Sequence, residues 1–283
     1  MMQLSTPTQT DRISVFYNMN CWQKFIAECL KPYILLQRQN QRITAVFVAF
    51  NFFQGSNIRI AFEFVDEVGE TRTNEIYRLF ANYLQQNSPS VNDSDFIGTS
   101  LFMDFPNNSC QQNLFHIRFS DPNIRLQLLI SEKIIDIFSI DLCNGSSLFT
   151  FLLHVIIAFC KEWEDMYKID QRSRTTQILL EKFSAESENH LDAIFQPYHE
   201  LFLNNRKMIL GIYEDVVLNT SDSNFWCEIR SEYRQYLERS LTSRRGMPSV
   251  LLPLDLITAD QLGLNDQSLY SVYYLINLIF STL

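Results

Sequence analysis

The sequence predicts an α+β fold. An antiparallel sheet is built into a strand-helix-strand-strand-helix unit at the N-terminal side, and a mainly helical half follows. Three observations carry this. The stretch Phe50-Asn51-Phe52-Phe53-Gln54-Gly55-Ser56-Asn57-Ile58-Arg59-Ile60-Ala61-Phe62-Glu63-Phe64 reads as two strands around a tight turn. From Arg125 onward, helical periods dominate. A hydrophobic content of 46% with 23 Phe describes a well-cored globular chain rather than a disordered one.

Taken in order, residues 1–12 form a polar, flexible lead. Ile13 to Met19 is a strand. Cys21 to Gln37 is a helix with Phe25, Ile26, Cys29 and Leu30 on one face. Ile43 to Phe53 and Asn57 to Val65 are strands, and Thr71 to Gln86 is a helix with Ile76, Leu79, Phe80 and Tyr83 at helical spacing. Asn87 to Gly98 is a polar loop. Leu101 to Phe105 and Leu114 to Phe119 are strands separated by the turn-forming Pro106-Asn107-Asn108. Helices are expected near 124–138, 146–166, 171–195, 199–218, 222–242 and 266–280. Pro248 to Asp266 carries two prolines and reads as irregular. There is no internal repeat and no low-complexity linker, so 1–283 is expected to be a single domain.

Several function classes are excluded. A net charge of −9 argues against general nucleic-acid binding, which needs a basic footprint. Gly is scarce at 7, and there is no Walker loop, G-x-G-x-x-G or G-x-S-x-G. None of His116, His154, His190 and His199 sits three or four residues from another or at ligand spacing from a Cys, so no metal site is expected. The scattered Cys21, Cys29, Cys110, Cys143, Cys160 and Cys227, without a preceding secretion signal, read as reduced thiols of a cytoplasmic protein. The apolar run Leu148 to Cys160 is interrupted by Thr150 and His154, too short to span a membrane, and fits a buried helix.

Three stretches carry candidate chemistry. In the second strand of the hairpin, period-two alternation sends Asn57, Arg59 and Ala61 to one face and Ile58, Ile60 and Phe62 to the other. An Arg on a mid-sheet face needs a partner, either a buried carboxylate or an anionic or carbonyl-bearing ligand. In the last helix, no charged side chain follows Gln267, while Tyr270, Tyr273, Tyr274 and Asn277 share a face, with Ser268 and Ser271 nearby. These hydroxyls are either the polar tips of a buried helix or a wall that donates hydrogen bonds to amide carbonyls without carrying charge. Arg230 and Arg234, followed by Arg244 and Arg245, are interleaved with acidic residues. They form either a solvated, ion-paired helix face or a patch that holds an acidic peptide.

The order of elements resembles the C-terminal domain of class I lantibiotic dehydratases, which also occurs as a separate protein in thiopeptide pathways. In that family an aromatic strand leads to a helix ending near Pro. A Phe-Ile-Arg-Tyr strand, a short turn and a His-Leu-Arg-Leu-Arg strand follow, and a final helix carries Ser, His and Asn-Arg. The matching stretches are Val15 to Tyr17, Trp22 to Pro32, Phe50-Asn51-Phe52-Phe53, Asn57-Ile58-Arg59-Ile60-Ala61, and Ser268 to Asn277 with Leu278 after the Asn. Family members with the full Arg and His set eliminate glutamate from glutamylated Ser and Thr. This chain has Phe52, Asn57 and Ala61 where the family has Arg, His and Arg, keeps Arg59, and has Tyr273 about where the helix His falls.

A His-depleted, stand-alone version resembles the thiopeptide pyridine synthases. The resemblance implies a formal [4+2] cycloaddition of two dehydroalanines in a ribosomally made peptide, with loss of water and of the leader peptide. It implies no cofactor and no metal. Ser268, Tyr273 and Tyr274 are then the catalytic candidates, with Asn57, Arg59, Tyr270 and Asn277 binding substrate in the same cavity. Arg230, Arg234, Arg244 and Arg245 are the candidate leader contacts. A split glutamate-elimination subunit and a non-catalytic leader-binding partner are the alternatives.

Overall fold

A computed structural model describes residues 10–52, 54–65, 70–88, 105–121, 123–167, 191–217, 224–241 and 247–282. By compactness the chain divides into two units, Met1–Asn144 and Gly145–Leu283, and each is described by itself. Residues 1–9 of the expected lead, most of the expected 87–98 loop, most of the 101–105 strand and the 171–190 part of an expected helix lie outside the described residues.

The first unit is built on a four-stranded antiparallel sheet of order β2-β3-β1-β4. The strands are β1 (Thr10–Phe16), β2 (Ile43–Asn51), β3 (Asn57–Phe64) and β4 (Ser109–Gln112). Thr10, Asp11 and Arg12, expected in the flexible lead, belong to β1, where they pair with Glu63, Phe62 and Ala61. The β2–β3 turn needs left-handed backbone, supplied at Gln54 (φ 60°) and Gly55 (φ 107°).

One sheet face carries Ile13, Val15, Val46, Val48, Phe50, Ile58, Ile60, Phe62 and Phe64, all buried. Helices cover it. Between β1 and β2 run a 3-10 turn (Met19–Cys21), α1 (Trp22–Phe25), a wide π turn (Ile26–Leu30) and α2 (Lys31–Gln39). The π turn directly precedes Pro32, which lacks the N–H for a normal turn and whose ring crowds the carbonyl four residues back. Trp22 stacks on Phe50 with centroids 4.8 Å apart, and Tyr33 meets Phe62 edge-on. From α3 (Glu70–Gln86), Phe80 packs against Phe25. From α4 (Ile124–Phe138), Phe138 reaches Phe50. Helix α4 also shields the edge strand: the Val48 N–H donates to Ser131 Oγ at 2.9 Å.

The expected strand at 114–119 does not form. The sheet strand is the earlier Ser109–Gln112, and Asn113 at φ 60° turns the chain out of the ladder. The segment beyond it lies across the second sheet face. There Phe115 packs with Phe47, Ala49 and Ala61, flanked by Ile117, Phe119 and Leu128.

The second unit is helical: α5 (Gly145–Tyr167), α6 (Leu191–Val217), α7 (Asn224–Leu241), α8 (Met247–Gln261) and α9 (Asp266–Phe280). Helix α5 is central and touches α6, α7, α8 and α9. Its span Gly145–Met166 is long and apolar enough to cross a membrane, but 61% of that window is buried inside the protein, as in a core helix. Helix α6 runs through Pro197 and breaks helical geometry at Asn205. Most of Pro248 to Asp266, expected to be irregular, is helix α8. Pro248 sits in the first turn, where its missing N–H costs no bond. Past the end of α8 the chain turns at Gly263 (φ 68°), with the Leu264 N–H returning to the Ala259 carbonyl at 2.8 Å. Asn265 then caps α9 by accepting from the Ser268 N–H at 2.9 Å.

Candidate functional site

In the first unit, the polar residues of the second sheet face are aligned by register: Ser14 opposes Arg59, and Arg59 opposes Ala49. Arg59 does face the sheet side that alternation assigns. The partner found there is aromatic, with its guanidinium 5.7 Å from the Phe115 ring centroid. Arg12 holds the same segment. Its Nη1 donates to the Phe115 carbonyl at 3.1 Å and lies 2.9 Å from His116 Nδ1, and its Nη2 donates to Asn113 Oδ1 at 3.1 Å. Asn57 is buried and donates to the Gly55 carbonyl at 2.8 Å, so it secures its own turn. Ser14 is buried with no hydrogen-bond partner for its hydroxyl among the described residues. Phe52, in the position of a family Arg, is 42% exposed beside Trp22.

In the second unit, the hydroxyl face of α9 divides in two. Tyr270 and Tyr273 are buried, whereas Tyr274 and Asn277 are half-buried. The Tyr273 hydroxyl donates to Asp255 Oδ2 of α8. Asp255 is itself buried, and its Oδ1 has no hydrogen-bond partner among the described residues. Loss of hydration pushes the Asp255 carboxyl up to about 7, against the opposing pull of the Tyr273 hydrogen bond. Burial, followed by the nearby Asp255 charge, raises the Tyr273 phenol and the Cys160 thiol as well.

Tyr274 has a different setting. Its ring stacks on Phe195 of α6, 4.6 Å between centroids and 4° between planes. Its hydroxyl lies 3.1 Å from His199 Nδ1, one helical turn along α6 from Phe195. The Ser268 hydroxyl, half-buried in the first turn of α9, donates to Asn265 Oδ1 at 2.9 Å. Asn265, with Leu256, Asp260, Leu264, Asp266 and Gln267, lines a cleft of about 510 Å³ at the N-terminus of α9.

Arg230 and Arg234 of α7 are ion-paired with carboxylates of α5. Glu162 is buried. It accepts from Arg230 Nε at 3.1 Å and from Arg234, while Arg230 Nη2 reaches Asp165 at 2.6 Å. Arg244 and Arg245 lie outside the described residues.

Asp255, His199 and Glu162 escaped the sequence reading. Each meets its partner across at least 18 residues of chain, and Asp255 lies in the stretch read as irregular. The one signal available was that Asp255 is a lone titratable residue in an apolar stretch and His199 follows Tyr198 two residues after Pro197; Glu162, within Lys161-Glu162-Trp163-Glu164-Asp165, gave none.

No protein-family model matches the sequence, and no curated sequence matches it. The fold does have relatives. The pyridine synthase TbtD from thiomuracin biosynthesis superposes with a TM-score of 0.65 at 13% identity, over 97% of this chain and 98% of that one. The two chains share one fold. TsrL superposes with a TM-score of 0.63 at 10% identity, over 97% and 95%. The tRNA-dependent lantibiotic dehydratase MibB from Microbispora superposes with a TM-score of 0.55 at 11% identity, over 99% of this chain but 28% of that larger one.

Proposed function

We propose that the protein is a pyridine synthase of ribosomal-peptide modification. It joins two dehydroalanines of a leader-bearing peptide by formal [4+2] cycloaddition, with loss of water and of the leader as an amide. The observation that carries this reading is the full-length fold likeness to TbtD together with an α9 that bears hydroxyls and no charged side chain after Asp266 in its first turn. One dehydroalanine-flanking amide must react as its iminol, and neutral hydroxyl donors stabilise that tautomer without adding charge. Holding the two alkenes together is a positioning task, for which effective molarity supplies much of the acceleration.

In this reading Tyr274 and Ser268 meet the peptide from the half-buried side of α9. Tyr273 and Tyr270 support that helix from behind, Tyr273 through Asp255. Asn277 shares the Tyr274 side; in the first unit Arg59 is the candidate peptide contact, while buried Asn57 holds the hairpin turn. No cofactor or metal takes part. Leader capture falls to the α7 surface, where Arg234 keeps half its side chain exposed. Leader affinity that does not weaken between low and high salt would place the leader elsewhere.

Incubation with a linear bis-dehydroalanine peptide should yield a macrocycle and free leader amide by mass spectrometry. The likeness to part of a lantibiotic dehydratase favours a second reading, a split glutamate-elimination subunit. Release of glutamate from a glutamylated peptide, with no macrocycle from the first substrate, would establish that reading instead. Tight leader binding without turnover of either peptide would leave a docking partner.

A further inference from the structure

We propose that His199 recharges the Tyr274 hydroxyl with protons during the eliminations that follow ring formation, acting as a positioning and relay residue behind Tyr274. This rests on the cyclisation reading.

The last helix holds no imidazole, and its Tyr273 is sealed against Asp255. The structure brings an imidazole to the same helix from α6. His199 Nδ1 is 3.1 Å from the Tyr274 hydroxyl, within direct proton-transfer reach. Phe195, four residues earlier on α6, stacks flat on the Tyr274 ring and fixes its direction. One helical turn therefore supplies both the clamp and the proton partner. Tyr274 and His199 are both half-buried, so one can meet substrate and the other can exchange with solvent. Tyr273 can do neither.

The chemistry asks for such a pair. The cyclic adduct carries a hydroxyl on the former amide carbon. Its C–O bond breaks with the electron pair going to oxygen. That oxygen takes the Tyr274 proton and leaves as water. The Tyr274 oxygen takes a proton from the His199 imidazolium and is a phenol again. A proton leaves the ring CH2 beside the imine carbon and passes to bulk water; its electron pair forms a C=C bond while the C=N electrons shift to make the new C=N bond at the carbon that lost the hydroxyl, and His199 is reprotonated from solvent. Loss of the leader repeats the pattern, with the amide nitrogen receiving the proton as the C–N bond breaks. A phenol alone is a slow proton donor near neutral pH, whereas imidazole exchanges protons readily there.

Chemical rescue tests this on the whole protein. His199→Ala and the near-isosteric His199→Gln are assayed with the bis-dehydroalanine peptide, with and without added imidazole. The expected result is that both variants lose about 10²-fold in kcat with little change in KM. Free imidazole should restore much of the His199→Ala rate but none of the rate of His199→Ala combined with Tyr274→Phe. That double variant should be no slower than Tyr274→Phe alone, as for residues acting as one unit. A His199→Gln protein within about threefold of wild type overturns the proposal and leaves the cyclisation reading standing. So does a His199→Ala loss that imidazole cannot restore. If the wild-type protein forms no macrocycle, the cyclisation reading fails and this proposal fails with it.

Discussion

The sheet of the first unit and the last helix of the second both present polar groups on aromatic ground, yet they fix them in different ways. On β3, alternation alone decides the side, and the neighbours then tie the polar groups down. Arg59 lies by Phe115, and Asn57 bonds its own turn. On α9, the single stripe of Tyr270, Tyr273, Tyr274 and Asn277 is cut by what packs on it. Asp255 of α8 claims Tyr273, and Phe195 and His199 of α6 claim Tyr274. A strand has two faces, so one pattern determines burial. A helix has a continuous circumference, so residues on one stripe can meet a buried acid or an accessible imidazole according to which helix lies beside them.

The comparison can be broken first at the foundation of the sheet. Trp22→Ala removes the ring stacked on Phe50 and should destabilise the first unit by about 3–5 kcal/mol. Denaturant unfolding followed by a probe in each unit should show the loss in the first one. A change confined to the second unit would contradict this account of the core.

The next largest effect sharpens the buried side of α9. Asp255 titrates near 7 in the folded chain, above its ordinary 3.8. Below the ordinary value both folded and unfolded states hold the proton, and stability is highest. Between the two values only the unfolded state ionises, so stability falls as pH rises and levels off above the folded value. The full swing is at most on the order of 4 kcal/mol. Asp255→Asn should flatten this part of the Tm–pH curve and raise Tm at pH above 7. Superimposable curves for variant and wild type would show that Asp255 is solvated.

A smaller effect concerns the α5–α7 contact. Glu162→Gln removes the buried carboxylate shared by Arg230 and Arg234 and should cost about 2 kcal/mol in unfolding experiments. Smaller still, Phe115→Leu keeps the apolar cover of the sheet but removes the ring beside Arg59, for a loss of about 1 kcal/mol.

The same contrast explains which elements the sequence pattern determines locally. The β2–β3 hairpin and the helices at 124–138 and 266–280 were legible, because alternation and helical period are local and caps or turns bound them. Residues 114–119 were misread as a strand because their apolar character serves a cover over the sheet, not a place within it. Residues 248–261 were misread because proline was counted as a breaker where one of the two prolines sits in a first turn. The candidate site was half legible. The hydroxyl stripe on α9 could be read, but its division between Asp255 and His199 is a product of packing between helices far apart in sequence. Arg230 and Arg234 were recognised as a cluster, yet the carboxylates that hold them come from α5.

The central claim is that the accessible edge of α9 does chemistry while its buried edge supports it. The most direct measurement compares Tyr274→Phe with Tyr273→Phe on the same bis-dehydroalanine peptide, with Tm recorded for each. Both changes remove one hydroxyl and leave the ring. Tyr274→Phe should lower kcat by about 10²–10³ at nearly unchanged Tm, as expected when a transition-state hydrogen bond is lost. Tyr273→Phe should shift Tm and its pH dependence while leaving macrocycle formation within about threefold of wild type. Full activity in Tyr274→Phe, or a collapse of kcat in a Tyr273→Phe protein of unchanged stability, would contradict the account.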